Sequence, residues 1–340
     1  MSMSANPLVV AVFSLLALAT SAALSALITW VSRPLLQHYA LARPNARSSH
    51  RIPTPQGAGI AVIAATLAIA WAWTAWAGVA IPPVLVGATI LIALVGFADD
   101  ILSLPVLLRL LLQAAAVGAV VLTTPETLRI VPSLPLAFER SLIVLAGVWF
   151  VNLVNFMDGL DLMTVAEVVP ITAALMLLGW LDELPLPVAL LAAALCGAMI
   201  GFAPFNRPVA KVFLGDVGSL PIGLLLGWCL LELTWHQQMA AALLLPAYYL
   251  TDSTLTLLRR VARREPFWAA HRTHFYQRAT DNGFTVPRVI AEVFALNVVL
   301  ALLAVATVRL GSAIVTTLAL LAGAIAVGAV LRRFSRGPAS

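Results

Sequence analysis

The sequence predicts an all-α polytopic membrane protein with about eleven transmembrane helices, the N-terminus outside and the C-terminus in the cytoplasm. Three observations carry this expectation. Of 340 residues, 61% are hydrophobic and 10% charged, against about 25% charged in ordinary soluble domains, and the mean hydropathy is +1.00. Apolar runs of about 20 residues, long enough to cross a ~30 Å hydrocarbon core as a helix, recur along the whole chain. Lys and Arg gather on alternate connections, the bias that holds short loops in the cytoplasm.

The expected spans are 7-31, 57-78, 82-98, 104-123, 141-157, 162-180, 184-204, 218-235, 238-258, 288-308 and 311-331. Each is helical because lipid offers backbone groups no other partner. The first is too long for the apolar part of a signal peptide, lacks a basic leader and runs into a basic loop, so it is read as a helix. Of the 20 basic residues, only Arg129, Arg140 and Arg309 fall on the outer side. The net charge of +5 therefore reflects topology, and nucleic acid is not an expected partner. Cys196 and Cys229 lie inside expected helices without metal-ligand spacing and read as packing residues. Residues 1-340 read as a single integral domain, with a Pro-rich outer loop near 124-138 that has room for a short interfacial element.

The cytoplasmic loops, about 32-56, 99-104, 152-162, 204-217 and 259-287, hold the motif-like sequence. In the first, Arg43, Arg47, His50 and Arg51 put positive charge at the membrane surface, and Pro53, Pro55, Gly57 and Gly59 force a turn. Attraction to anionic lipid explains such a loop; a phosphate clamp is the sharper reading. In the second, Asp99 and Asp100 stand side by side and repel unless a cation or proton intervenes, although a solvated cap is the plainer account. Arg109, about two to three turns into the next helix, needs a partner.

The third loop reads NLVNFMDGLD over 152-161. Asn152 and Asn155 share a helical face at i, i+3, and Gly159 lets the chain turn so that Asp158 and Asp161 converge. Oxygen ligands of this kind suit Mg²⁺ or Mn²⁺ better than zinc. In the fourth, Asp216 is flanked by glycines at a helix start, where it offers a metal ligand beside phosphate-binding N–H groups, or simply an N-cap. In the fifth, His271 and His274, with Arg272 and Arg278, offer donors to phosphate oxygens, although two histidines alone are an ordinary surface feature. All five loops share one membrane face, and together they point to phosphoryl transfer.

These residues resemble the polyprenyl-phosphate N-acetylhexosamine-1-phosphate transferases, in glycosyltransferase family 4. PNARSSHRIPTP from Pro44, DD at 99-100, NLVNFMDGLD and FLGDVGS at 213-219 carry the resemblance, which runs from about Arg43 to Arg278. AHRTHFYQR matches the form of the histidine motif in members that initiate O-antigen and other surface glycans. Three positions depart from the pattern. Ala42 replaces an acidic residue, Ala58 the middle glycine after PTP, and Leu162 the glycine after the second acid of DG-x-D.

The resemblance implies a UDP-N-acetyl sugar in the cytoplasm and undecaprenyl phosphate in the bacterial inner membrane as substrates, with UMP released. It implies Mg²⁺, or Mn²⁺ in its place, on Asp216 with Asp99 and Asp100 in support. One of the pair, Asp99, would deprotonate or position the lipid phosphate; direct attack and a covalent aspartyl-phosphate both stay open. Asp161, Asn206 and Phe213 would recognise uridine, and Asn152, Asn155 and Asp158 would shape the diphosphate pocket. His271, Arg272 and His274 would hold diphosphate or sugar, and Arg47, His50 and Arg109 would approach the lipid phosphate. Membrane lipids surround the chain, and a homodimer is compatible with its size, though no motif requires one. Within the family, the UDP-N-acetylmuramoyl-pentapeptide phosphotransferases are the alternative. Outside it stand a secondary transporter using Glu167 and Glu292, and an intramembrane aspartyl protease built on LGD at 214-216.

Overall fold

The computed structural model describes residues 7–42, 53–266 and 271–336. In chain order the helices are α1 (Pro7–Tyr39), α2 (Gly59–Trp76), α3 (Pro83–Leu102), α4 (Val106–Leu122), α5 (Leu136–Met157), α6 (Met163–Trp180), α7 (Leu186–Phe202) and α8 (Asp216–Trp235). There follow α9 (Met239–Leu244), α10 (Ala247–Ala262), α11 (Phe275–Asp281), α12 (Val286–Leu310) and α13 (Ala313–Arg336). A two-residue antiparallel pair, β1 (Leu41–Ala42) with β2 (Thr54–Pro55), closes the base of the first loop.

All eleven expected apolar segments are helical, but they are not equal. Among the described residues nine helices are long and apolar enough to span a membrane, and α4 is a shorter apolar helix of 17 residues. The expected span 238-258 is broken, because Pro246 interrupts it between α9 and α10. Beyond the break, α10 carries Asp252, Arg259 and Arg260, so it is amphipathic rather than apolar all round.

Helices α6, α7 and α8 are largely buried within the bundle, whereas α1, α5 and α13 leave most of their surface outward. Helix α1 closes on α7 through two serines, Ser21 and Ser25, whose hydroxyls donate to the Ala194 and Ala198 carbonyls at 2.6 and 2.8 Å. Small residues at such a crossing let two backbones approach, which is how helices associate where the hydrophobic effect is spent. Cys196 and Cys229 are both buried and free. The Pro-rich loop is fixed by Glu139, which accepts Arg129 Nε at 2.5 Å and the Ile130 amide at 2.6 Å.

Candidate active site

The connections α1–α2, α3–α4, α5–α6, α7–α8 and α10–α12 meet at one end of the bundle, and the polar residues meet there with them. One close approach joins the C-terminal part of α3 to the first turn of α8. Gly96 permits it, since a Cβ at that position would stand 2.3 Å from the Asp216 carbonyl oxygen. The first N–H groups of a helix have no partner within it. Here Asp100 supplies one from α3, accepting the Asp216 amide at 2.9 Å and the Val217 amide at 3.1 Å, as well as the Gln56 side-chain amide. Gly215 precedes the helix at φ 78°, where a Cβ would meet Asp100 Oδ2 at 2.6 Å.

The neighbouring carboxylates have different partners. Asp99 accepts the Leu104 amide at 2.7 Å and pairs with the Arg109 guanidinium. Arg109 lies in the first turn of α4, not two to three turns inside it, because the helix begins at Val106. Its Nη1 is also 3.7 Å from Asp216 Oδ2. The other oxygen of Asp216 accepts Asn155 Nδ2 at 2.8 Å, and the same amide reaches Ser219 Oγ at 2.9 Å. Asp100 is thus spent on holding α8, while Asp216 retains the most acceptor capacity and leaves about a quarter of its side chain exposed (25%).

One helical turn from Asn155, Asn152 donates to Gln113 Oε1 of α4 at 2.6 Å, bracing α5 against α4 rather than opening toward Asp216. The turn from α5 to α6 puts Asp158 under Thr164, whose hydroxyl donates at 2.5 Å. Burial pushes the Asp158 carboxyl up to about 7; the Thr164 bond opposes this, and the Asp100 and Asp161 charges add to it. Leu162 has φ 64°, the left-handed backbone that glycine adopts freely, at the position where the family pattern has glycine. Asn206 stabilises it, accepting the Leu162 amide at 2.7 Å and donating to the Val212 carbonyl at 2.9 Å. Asp161 accepts the Ala210 amide at 3.1 Å. Asn206 and Asp161, expected to meet uridine, therefore bind the α5–α6 turn to the loop before α8.

Phe213 joins that loop to the first one. Its amide donates to the Pro55 carbonyl at 2.7 Å, and its carbonyl accepts the Gly57 and Ala58 amides at 3.2 and 3.0 Å. Its ring is half-buried. Arg47 and His50, expected at the lipid phosphate, lie outside the described residues.

The histidine segment is organised differently from its expectation as a set of free donors. His274 is buried, its Nδ1 is 3.2 Å from Asp252 Oδ1, and its ring stacks on His271 at 5.0 Å. His271 is half-buried, and burial, then His274 and Arg260, lower its imidazole to about 4. It is therefore neutral at pH 7, a hydrogen-bonding group rather than a cation. Arg272 pairs with Asp281 at 2.8 Å and donates to Thr280 Oγ1 at 3.0 Å. Burial, with Asp252 and Asp158 beyond it, keeps the Tyr276 phenol protonated well above its usual range, so it donates to the Phe156 carbonyl at 3.0 Å.

Glu167 and Glu292 part company. Glu167 is buried and accepts Asn297 Nδ2 at 2.6 Å. Glu292 pairs with Arg288 and Arg333, each at 3.2 Å, at the end of α12, so it is not the lone intramembrane charge a relay requires.

Among the described residues no three His, Cys, Asp or Glu side chains form a preformed metal cage. The donor set nevertheless fits Mg²⁺, which binds through one or two carboxylates with substrate phosphates and waters completing the shell. Asp99, Asp100 and Asp216 bring three acidic groups together, with Arg109 as the cation that touches Asp99 and Asp216. Gln56, Gln113, Ser219, Asp252 and Tyr276 were not singled out from the sequence as site residues. The partners that place them in the site are distant, 39 or more positions away for Gln56, Gln113, Ser219 and the Tyr276 hydroxyl and 22 to 24 positions on for Asp252, so no local motif marks them.

Fold and site define a polytopic membrane protein with its carboxylates, amides and histidines gathered at one end of a helix bundle. Residues 82–234 match the model of glycosyl transferase family 4. It is 32% identical over 181 residues to a phospho-N-acetylmuramoyl-pentapeptide-transferase of Gluconobacter oxydans, covering 47% of this chain and 48% of that one. It is 31% identical over 223 residues to a decaprenyl-phosphate N-acetylglucosaminephosphotransferase of Mycolicibacterium smegmatis, covering 58% and 54%. A probable undecaprenyl-phosphate N-acetylglucosaminyl 1-phosphate transferase of Bacillus subtilis is 27% identical over 270 residues, covering 75% and 74%. The chain thus spans about half the length of the first two relatives and about three quarters of the third.

Proposed function

We propose that this protein transfers an N-acetylhexosamine-1-phosphate from a UDP-sugar to undecaprenyl phosphate, releasing UMP and starting a lipid-linked surface glycan such as O-antigen. The reaction takes place at the cytoplasmic face of the bacterial inner membrane. The observation that carries this reading is the meeting of Asp99, Asp100, Asp216, Arg109 and Asn155 where α3, α4, α5 and α8 end. A lipid-anchored phosphate and a water-soluble diphosphate can meet only at such a boundary. The surface-glycan branch is favoured over the pentapeptide branch by the AHRTHFYQR segment.

A phosphate oxygen of the lipid forms a bond to the β-phosphorus of the donor, and the bond from that phosphorus to the bridging oxygen breaks, with UMP leaving on that oxygen. Asp216 and Asp99 would hold Mg²⁺, which when bound supplies charge neutralisation on the diphosphate. Asp100 keeps the first turn of α8 in place, so that Asp216 faces Arg109. Arg109, already shared between Asp99 and Asp216, is placed to transfer part of its contact to an arriving phosphate. Asn155 fixes one oxygen of Asp216 and leaves the other to the reaction.

The test is UMP release by the full chain in lipid, with undecaprenyl phosphate, Mg²⁺ and a panel of UDP-N-acetyl sugars that includes UDP-N-acetylmuramoyl-pentapeptide. UMP that requires lipid phosphate, is lost on chelation and returns with Mg²⁺ supports the reading. Turnover of the pentapeptide donor alone would move the chain to the other branch. Lipid-bound, folded protein that turns over none of the donors would overturn the proposal.

A further inference from the structure

Asp252 lies six residues beyond Pro246 in α10, with no exposed surface. A buried carboxylate is costly unless its oxygens are satisfied, and this one is surrounded by donors. Oδ1 accepts the Phe275 amide at 3.0 Å and Thr256 Oγ1 at 3.3 Å, with His274 Nδ1 at 3.2 Å. Oδ2 accepts the Tyr276 amide at 3.2 Å and the Tyr248 hydroxyl at 3.3 Å. One side chain thereby ties α10 to the start of α11.

Helix α11 in turn rests on the α5–α6 turn. Tyr276 reaches the Phe156 carbonyl, and a Cβ on Gly159 would stand 2.1 Å from the Tyr276 hydroxyl oxygen, so the contact tolerates no added methyl. Phe156 and Gly159 bracket Asp158 and adjoin Asn155, which holds Asp216. His271 stacks on His274. A continuous set of contacts therefore runs from Asp252 through His274 and Tyr276 to the turn that carries Asn155 and Asp158.

We propose that Asp252 is a positioning residue for the sugar-nucleotide side of the site: it fixes the start of α11 so that His274 and Tyr276 stand against the turn at Phe156–Gly159. This rests on the function proposed above, together with the donor contacts that the resemblance implies for Asn155, Asp158 and His274. Asn at position 252 is nearly isosteric but presents an N–H₂ where the carboxylate accepts, so it opposes donors that Asp252 satisfies. Misplacement of a site by a fraction of an ångström is enough for a measurable loss.

The experiment compares the full-length wild-type chain with Asp252→Asn, Tyr276→Phe and the double variant in lipid. It measures KM for the UDP-sugar, KM for undecaprenyl phosphate, and amide exchange of the segment 271–281. Asp252→Asn should raise the donor KM roughly tenfold, leave the lipid KM unchanged and speed exchange at Phe275 and Tyr276. Tyr276→Phe should move the donor KM the same way by less, and the double variant should fall short of the product of the two, as for residues acting through one element. Unaltered donor KM, or a lower active fraction with both KM values unchanged, would overturn the proposal. If Asp252→Asn does not fold, Tyr276→Phe decides by the same KM split. Should the wild-type chain release no UMP, the function has failed separately, and unchanged exchange in 271–281 would also overturn the hold of Asp252 on α11.

Discussion

Asp100 and Asp252 use the same device in two regions. Each sits on one helix and accepts the two leading amides of another, Asp100 those of α8 and Asp252 those of α11. Their surroundings differ. Around Asp252 all is buried and every oxygen has neutral or imidazole donors, while Asp100 has Asp99 and Asp216 for neighbours and Arg109 as the cation shared between those two. A satisfied carboxylate holds a structure; a crowd of carboxylates asks for a cation. One region is built to stay still, the other to receive charge.

The sharpest way to break the comparison is Asp216→Asn. It removes the acid with the most open capacity while keeping an acceptor for Asn155. UMP release should fall by roughly 10²- to 10³-fold, as when a single charge-stabilising group is lost, and the thermal midpoint should hold or rise because like charges are relieved. A large drop in the midpoint would make Asp216 structural instead. Next, Asp100→Ala should cost about 1–3 kcal/mol by leaving the Asp216 and Val217 amides without their partner, read as a lower denaturation midpoint. Asp99→Ala should cost activity before stability. If the two variants behave alike, the division of labour between the neighbours is wrong.

The histidine region gives a smaller effect, visible with pH. His271 titrates near 4 in the folded chain against about 6.5 unfolded. Between those values the unfolded chain binds more protons, so this group's contribution to stability is full above pH 6.5 and is lost as pH falls through about 4. Denaturation midpoints followed over that window should be less acid-sensitive in His271→Gln. Smallest of all, Leu162→Gly removes a left-handed strain of about 1 kcal/mol and adds glycine's chain entropy of similar size. Its midpoint should stay within about 1 kcal/mol of wild type by chemical denaturation, and a larger loss would show that the Leu162 side chain matters more than its backbone.

The two regions also differ in how far sequence revealed them. Asn155 and Asp216 stand in separate motifs, and a 2.8 Å hydrogen bond across 61 residues joins them. The side of the bundle was equally legible, since alternate basic loops require the acidic ones to share an end. Individual duties were not. Nothing local distinguishes Asp99, which faces Arg109, from Asp100, which faces a helix start 116 residues away. Asn206 and His274 looked like free ligands because residue type shows what a group can bond, not whether backbone or a neighbour has already claimed it. Asp252 was hidden for a related reason: it caps the start of α11, more than twenty positions on, from a helix earlier in the chain. The break at Pro246 was written in the sequence, yet the apolar residues on both sides merged into one expected span.

The bond from Asp100 to the start of α8 has a consequence for biogenesis. Residues 99 and 100 emerge from the ribosome more than a hundred positions before the amides that Asp100 accepts. Until α8 is inserted, the acidic pair at the end of α3 has no helix start to hold and α8 has no fixed seat for Asp216. A chain interrupted between α7 and α8 has neither Asp216 nor the helix start that Asp100 holds, and the close crossing at Gly96 has nothing to receive.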